Sequence, residues 1–163
     1  MSSVQLDQDI VIVAAQRTPM GGFQGALSTV ASPKLAATAI KGLMQQSGLA
    51  GEQVDEVLMG CVLPAGLGQA PARQATLGAE LPLSVGATTV NKVCGSGMKT
   101  VMLAHDLIKA GSANVVVAGG MESMSQAPYL LDKARGGMRM GHGKVLDHVF
   151  LDGFEDAYTG GAM

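Results

Sequence analysis

Short apolar runs alternate along the chain with stripes of helical period, and the alternation predicts strand, helix, strand, helix. Residues 9–15 (DIVIVAA) form a continuous apolar run closed by Arg17-Thr18-Pro19, the pattern of a strand buried on both faces. A Gly-rich connection follows over 20–29. Ser32 as N-cap and Pro33 at the first helical position then open a helix. Its Leu35, Ala39 and Leu43 share one stripe, flanked by Ala36, Ile40 and Met44, and Gly48 suits its C-terminal cap. Residues 54–63 predict a second strand, 70–80 a shorter helix and 87–93 a third, β-branched strand. Residues 95–110 predict a helix apolar almost all round, a type usually buried inside a large protein. A fourth strand is predicted over 114–118, and the whole order points to an α/β domain with a mostly parallel sheet. Beyond Gly120 the clean period is lost. The segment 121–163 is rich in Gly and Met and holds one amphipathic stretch over 145–154, with no element completed at its end.

Composition narrows the class. With 47% hydrophobic residues the chain is not disordered, and its net charge of −2 argues against a nucleic-acid partner, which needs a basic face. Two cysteines in 163 residues are no disulfide scaffold. The longest apolar runs fall far short of the roughly 20 residues of a membrane span, and no basic region precedes the first of them. The expectation is a cytoplasmic chain with no membrane partner. Its length predicts about one domain. Charged residues are 15% against about 25% in ordinary domains, so little of the surface is built for solvent.

The strongest candidate chemistry lies at Val90-Asn91-Lys92-Val93-Cys94-Gly95-Ser96-Gly97-Met98. Cys94 falls where a strand turns into a helix, and the first amides and positive dipole end of a helix favour a thiolate there. Lys92 is positioned to add a positive charge or to point away. Gly95 and Gly97 admit a substrate to the backbone, whose amides could receive a developing oxyanion. On spacing alone, a small buried cysteine packed at the junction reads as well as a nucleophile. A histidine partner is not evident. His105 lies about 16 Å along the helix from Cys94 and reads as a packed helix histidine, whereas His142 and His148 read as surface residues. No spacing suggests a metal site. Cys61, at the end of the second strand, reads as structural. Gly66-Leu67-Gly68-Gln69-Ala70-Pro71 is a poor dinucleotide loop, with Pro71 where the last glycine belongs. Gly119-Gly120-Met121-Glu122 reads as the turn that leads the chain out of the sheet.

Four blocks, in order, resemble the thiolases, and within them the acetoacetyl-CoA branch. They are 13–19 (VAAQRTP), 60–75 (GCVLPAGLGQAPARQA), 91–99 (NKVCGSGMK) and 118–125 (AGGMESMS). The resemblance covers essentially the whole chain. It implies a layered thiolase-like α/β fold: 1–120 as the N-terminal half of a five-layer αβαβα arrangement, and 121–163 as the incomplete start of an inserted loop domain. In that setting Cys94 is the nucleophile that becomes acylated, with its backbone N–H in the oxyanion hole. The reaction joins two acetyl-CoA to acetoacetyl-CoA and CoA, or runs in reverse. A broader 3-ketoacyl-CoA thiolase and a non-catalytic assembly fragment are the alternatives. Coenzyme A is then substrate and product, and no separate cofactor or metal is implied. Some members carry a histidine near the acyl group at the position of Ala162, which makes the adjacent Met163 a candidate substrate-binding residue. The resemblance also implies a homo-oligomer, dimer or tetramer, with the region 135–143 resembling a tetramer-forming loop. Family members are more than twice as long, and their partner histidine and second cysteine match no residue here.

Overall fold

The computed structural model describes residues 9–163. Its centre is a three-stranded parallel sheet of β1 (Glu56–Gly60), β2 (Gly86–Val90) and β3 (Val116–Gly120), in the order β2-β1-β3. Glu56 stands opposite Gly86 and Val116, and Gly60 opposite Val90 and Gly120, so the three carboxyl ends finish level. Ligands of open parallel sheets bind at that edge.

Strand β1 is central and almost wholly buried. Alternate residues of a strand face opposite sides. Val57, Met59 and Cys61 pack in one core cluster with α1 (Ser32–Ser47), α2 (Pro71–Gly78), Leu81 and Val85. Leu58 and Gly60 face the other way, toward α3 (Ser96–Lys109). The result is a layer of helices on each face of a thin sheet. Burying side chains the size of Val57 stabilises the sheet by about 1.5–3 kcal/mol each. At the opposite edge the Asp55 carboxylate accepts the N–H groups of Asn114 at 2.6 Å and Val115 at 3.1 Å, which ties the entry of β3 to β1. Those two bonds hold its pKa below the usual carboxylate value.

Three expectations need correction. The run 9–15 forms no strand: Ile12 is 83% exposed, and the segment pairs with nothing in the sheet. Apolar patterning reports what a segment can bury, but a strand exists only through a ladder partner, and this run has none among the described strands. Ser32 is the first residue of α1 rather than its cap, and the cap position falls to Ala31, which has no side-chain bond to give. Helix α3 is not enclosed. It presses Ser96, Thr100 and Ala104 onto the sheet and turns Met98, Val101 and Met102 outward, with Met98 73% exposed, while Leu103, Leu107 and Ile108 are half-buried. Small residues at i, i+4 and i+8 let the helix approach closely, and the methionines occupy the opposite face.

Residues 121–163 contain a two-stranded antiparallel ladder, β4 (Tyr129–Leu130) with β5 (Leu146–Asp147), and a single π-type turn, Phe150–Phe154. Two hydroxyl bonds fasten the start of this region to the chain before α1. Ser125 Oγ accepts the Gln24 N–H at 2.8 Å, and Ser123 Oγ donates to the Val30 carbonyl at 2.8 Å. Among the described residues no helix is long and apolar enough to cross a membrane, and no cluster of His, Cys, Asp and Glu could hold a metal ion.

Candidate active site

Three glycines bring α3 onto the carboxyl edge of the sheet. A Cβ on Gly60 would lie 2.7 Å from the carbonyl carbon of Ser96 and 2.8 Å from the nitrogen of Gly97. One on Gly120 would lie 3.3 Å from the Cα of Gly97. At Gly60 only a bare α-carbon permits this seam, and at Gly120 a side chain would be tight against it. Just before it the chain makes a tight turn over 91–96. Asn91 Oδ1 accepts the Val93 N–H at 2.9 Å, Lys92 O accepts the Gly95 N–H at 3.1 Å, and Val93 O accepts the Ser96 N–H at 3.0 Å. The Ser96 hydroxyl locks the turn, accepting the Lys92 N–H at 2.8 Å and donating to Val93 O at 2.6 Å. Val93 is thereby held at φ 47°. A β-branched residue in that left-handed region carries about 1–2 kcal/mol of strain, and strain of this kind collects at functional sites.

This turn presents Cys94, which is exposed. Cys94 is not packed in the core of the described residues but lines a cleft. The amides of Gly95 and Ser96 are engaged within the turn, but the Cys94 N–H donates to no acceptor among the described residues. The thiol opens on a cleft of about 480 Å³ lined mainly by apolar groups, among them Leu63, Val93, Met121, Val149 and Phe154. A free thiol beside an unengaged N–H, facing an apolar cleft, can attack a carbonyl carbon and receive the resulting oxyanion.

The other predicted residues disperse. Cys61 is 1% exposed, and its thiol donates to Glu122 Oε1 at 3.7 Å. Burial first, and the Glu122 carboxylate second, push its pKa up to about 11, so it is an inert structural thiol. His105 is solvent-exposed beside Asp106, which corrects the packed-histidine expectation. Its place on the wheel is about 100° round from Ala104, off the small-residue stripe that meets the sheet. His142 is exposed, as expected. Lys92 is exposed and lines no part of the cleft. The Gly66–Pro71 loop is closed by its own chain, since Gln74 donates to the carbonyls of Leu67 and Gln69, each at 2.8 Å. The Met163 N–H donates to the carbonyl of Phe154, a cleft residue, but the Met163 side chain is 71% exposed and outside the lining.

Two residues carry more than the sequence suggested. Glu122 accepts the N–H groups of Val62 at 2.7 Å and Leu63 at 3.1 Å, so its carboxylate holds the exit of β1 at the cleft wall. His148, expected at the surface, is 4% exposed. Its Nδ1 lies 2.6 Å from Asp152 Oδ2 and its Nε2 accepts the Ala65 N–H at 3.4 Å. The i, i+4 spacing of His148 and Asp152 was the available signal, because such a pair can share one face of a helical turn.

The comparisons with known proteins agree with this architecture. The family model described as "Thiolase, N-terminal domain" matches residues 10–163. An acetyl-CoA acetyltransferase of Pseudomonas aeruginosa is 54% identical over 93% of this chain and 39% of its own length. One from Cupriavidus necator is 53% identical over 93% of this chain and 38% of its own. A mitochondrial acetyl-CoA acetyltransferase of Danio rerio is 54% identical, again over 93% of this chain but 36% of its own length. The chain thus spans under two-fifths of the length of these relatives. The match across residues 10–163, coinciding with a parallel sheet whose carboxyl edge presents a cysteine at a helix start, shows that the chain belongs to the thiolase family.

Proposed function

We propose that this chain is the nucleophile-bearing part of an acetyl-CoA acetyltransferase. It forms or cleaves the carbon–carbon bond between two acetyl units carried as CoA thioesters. The observation that carries the reading is the exposed Cys94 on its locked turn, with its own N–H unengaged and an apolar cleft in front of it. The names of the relatives support the substrate class.

The thiolate of Cys94 attacks the thioester carbonyl. A carbon–sulfur bond forms, and the negative charge moves to the carbonyl oxygen, where the Cys94 N–H can bind it. Collapse expels the CoA thiolate and leaves an S-acyl cysteine. The α-carbon of a second acetyl-CoA, having lost a proton, then attacks that carbonyl and releases Cys94. In the other direction, Cys94 attacks the keto carbon of acetoacetyl-CoA, the bond between that carbon and the α-carbon breaks, and acetyl-CoA leaves as its enolate and takes up a proton. The thiolate of free CoA then attacks the S-acetyl carbonyl and releases Cys94. The family resemblance assigns proton transfer to a histidine and a second cysteine that match no residue here.

On this reading residues 121–163 belong to the loop domain, and the protein is a homo-oligomer acting in fatty-acid metabolism. The outward apolar face of α3, with Met98, Val101 and Met102 exposed, supports the assembly component. The test uses the polypeptide as its gene encodes it. After incubation with acetyl-CoA, peptide mass spectrometry should find the acetyl group on Cys94 and none in Cys94→Ala. Stable acetylation at another residue instead would overturn the reading.

A further inference from the structure

The two walls of the Cys94 cleft come from separate parts of the chain. Val62 and Leu63 stand at the exit of β1, while Val149, Gly153 and Phe154 are carried on the turn that follows β5. The ring of His148 stands between the two segments, buried, and lines no part of the cleft itself. A backbone N–H can only donate, so the Nε2 that faces Ala65 is the bare nitrogen. Nδ1 therefore carries the proton and donates it to Asp152, whose side chain is about half exposed. The His148 N–H adds a third tie, to the Pro128 carbonyl at 3.3 Å. The ring is a strut with one end on each wall.

The strut meets the cleft where its lining is hydrocarbon. A Cβ added on Gly153 would lie 3.7 Å from Leu63 Cδ2, so the two walls stand only about one methyl group short of van der Waals contact at that point. With Val149, Leu63 and Phe154 around it, this end offers contacts to an alkyl chain and few to a charged or polar group. Shortening or freeing the strut changes the separation of Leu63 and Gly153, and with it the space open to an alkyl tail.

Building on the acyl-Cys94 reading, we propose that His148 is a positioning residue for substrate size. Its ring, braced by Asp152, sets the width of the apolar end of the cleft and so the acyl length that reaches Cys94.

The test compares wild type, His148→Ala, His148→Gln and Asp152→Ala in the gene-encoded polypeptide. Cys94 is challenged with methyl and octyl methanethiosulfonate, and thiolysis is measured with acetoacetyl-CoA and a medium-chain 3-ketoacyl-CoA. Wild type should prefer the methyl reagent by on the order of tenfold or more, since pocket discrimination by hydrocarbon size runs at that scale. His148→Ala should lower the methyl-to-octyl ratio by about fivefold and shift kcat/KM toward the longer ketoacyl-CoA, on the same scale. Asp152→Ala, made at a half-exposed side chain, should shift both in the same direction without loss of fold. His148→Gln, which keeps an acceptor for the Ala65 N–H, should remain within about twofold of wild type. An unchanged ratio in both His148→Ala and Asp152→Ala, with acyl transfer intact in wild type, overturns the strut alone. If wild type takes up no acyl group from acetyl-CoA, the acyltransferase reading falls, and the acyl-length role falls with it.

Discussion

The Ser96 hydroxyl donates to the Val93 carbonyl across 2.6 Å, and this bond closes the turn that carries Cys94. The same oxygen accepts the Lys92 N–H, so one buried side chain fixes the residues on both sides of the strained position. Ser96→Ala removes both bonds. The expected cost is about 1–3 kcal/mol, the scale of a buried polar group losing its partner, read by chemical denaturation. Alkylation of Cys94 by iodoacetamide should slow by about tenfold as the turn relaxes, because misplacement of a reacting atom carries penalties of that order or larger. Unchanged Cys94 reactivity in a folded Ser96→Ala protein would show that the turn does not depend on this bond.

Gly60→Ala places a methyl group 2.7 Å from the Ser96 backbone, where no side chain can yield. The seam between β1 and α3 must open, at a cost of about 1–3 kcal/mol, and labelling of Cys94 should fall with it. Gly48→Ala is the control. That residue has φ +69° with nothing within 4 Å, so it pays only left-handed strain of about 1–2 kcal/mol. Its melting temperature should drop while Cys94 labelling stays at the wild-type rate. Equal loss of labelling in both variants would count against the seam.

Cys61 makes stability depend on alkaline pH. Its folded pKa is about 11 against 9.0 for an unperturbed thiol. The unfolded chain therefore releases this proton first as pH rises, and folding loses about 1.4 kcal/mol for each pH unit between those values. The contribution is fully present below pH 9 and is lost as pH rises toward 11. Denaturation curves across that window should show the slope in wild type and a flatter dependence in Cys61→Ala. Identical slopes would remove Cys61 as its source.

Glu122→Gln leaves one oxygen for two N–H groups and turns an amide NH₂ toward donors. The exit of β1 should loosen, at a cost of about 1–3 kcal/mol, with weaker acetylation of Cys94 because Leu63 forms part of its cleft. The Cys61 pKa should also fall from about 11, though not to 9.0, since burial, its larger cause, remains. Thiol titration by absorbance reads the second effect directly, and a Cys61 titration unmoved by the substitution would exclude the carboxylate from the thiol's surroundings.

Local chemistry made much of this fold legible in the sequence. Helix α2, predicted over 70–80, runs Pro71–Gly78, and the strands expected at 87–93 and 114–118 appear as Gly86–Val90 and Val116–Gly120. Proline, glycine and β-branched residues mark those boundaries through backbone sterics alone. Cys94 was legible because its glycines and its strand-to-helix junction lie in one short run. The failures were tertiary. Nothing in residues 9–15 says whether a ladder partner is present, and the stripe of Ser96, Thr100 and Ala104 hides behind the larger apolar residues of its own helix. The roles of Glu122 and His148 are set by amides about sixty and eighty positions away, at Val62, Leu63 and Ala65, a separation that no local pattern encodes.

The meeting of Gly60, Gly97 and Gly120 has one more consequence. Side chains in a core can trade rotamers when a neighbour changes, so most contacts have some play. Here main chain rests on main chain, and there is no rotamer to trade. The distance from the sheet to the start of α3 is therefore a property of the backbone itself. Substitutions elsewhere can reshape the cleft in front of Cys94, while the helix start beside it stays where the strands put it.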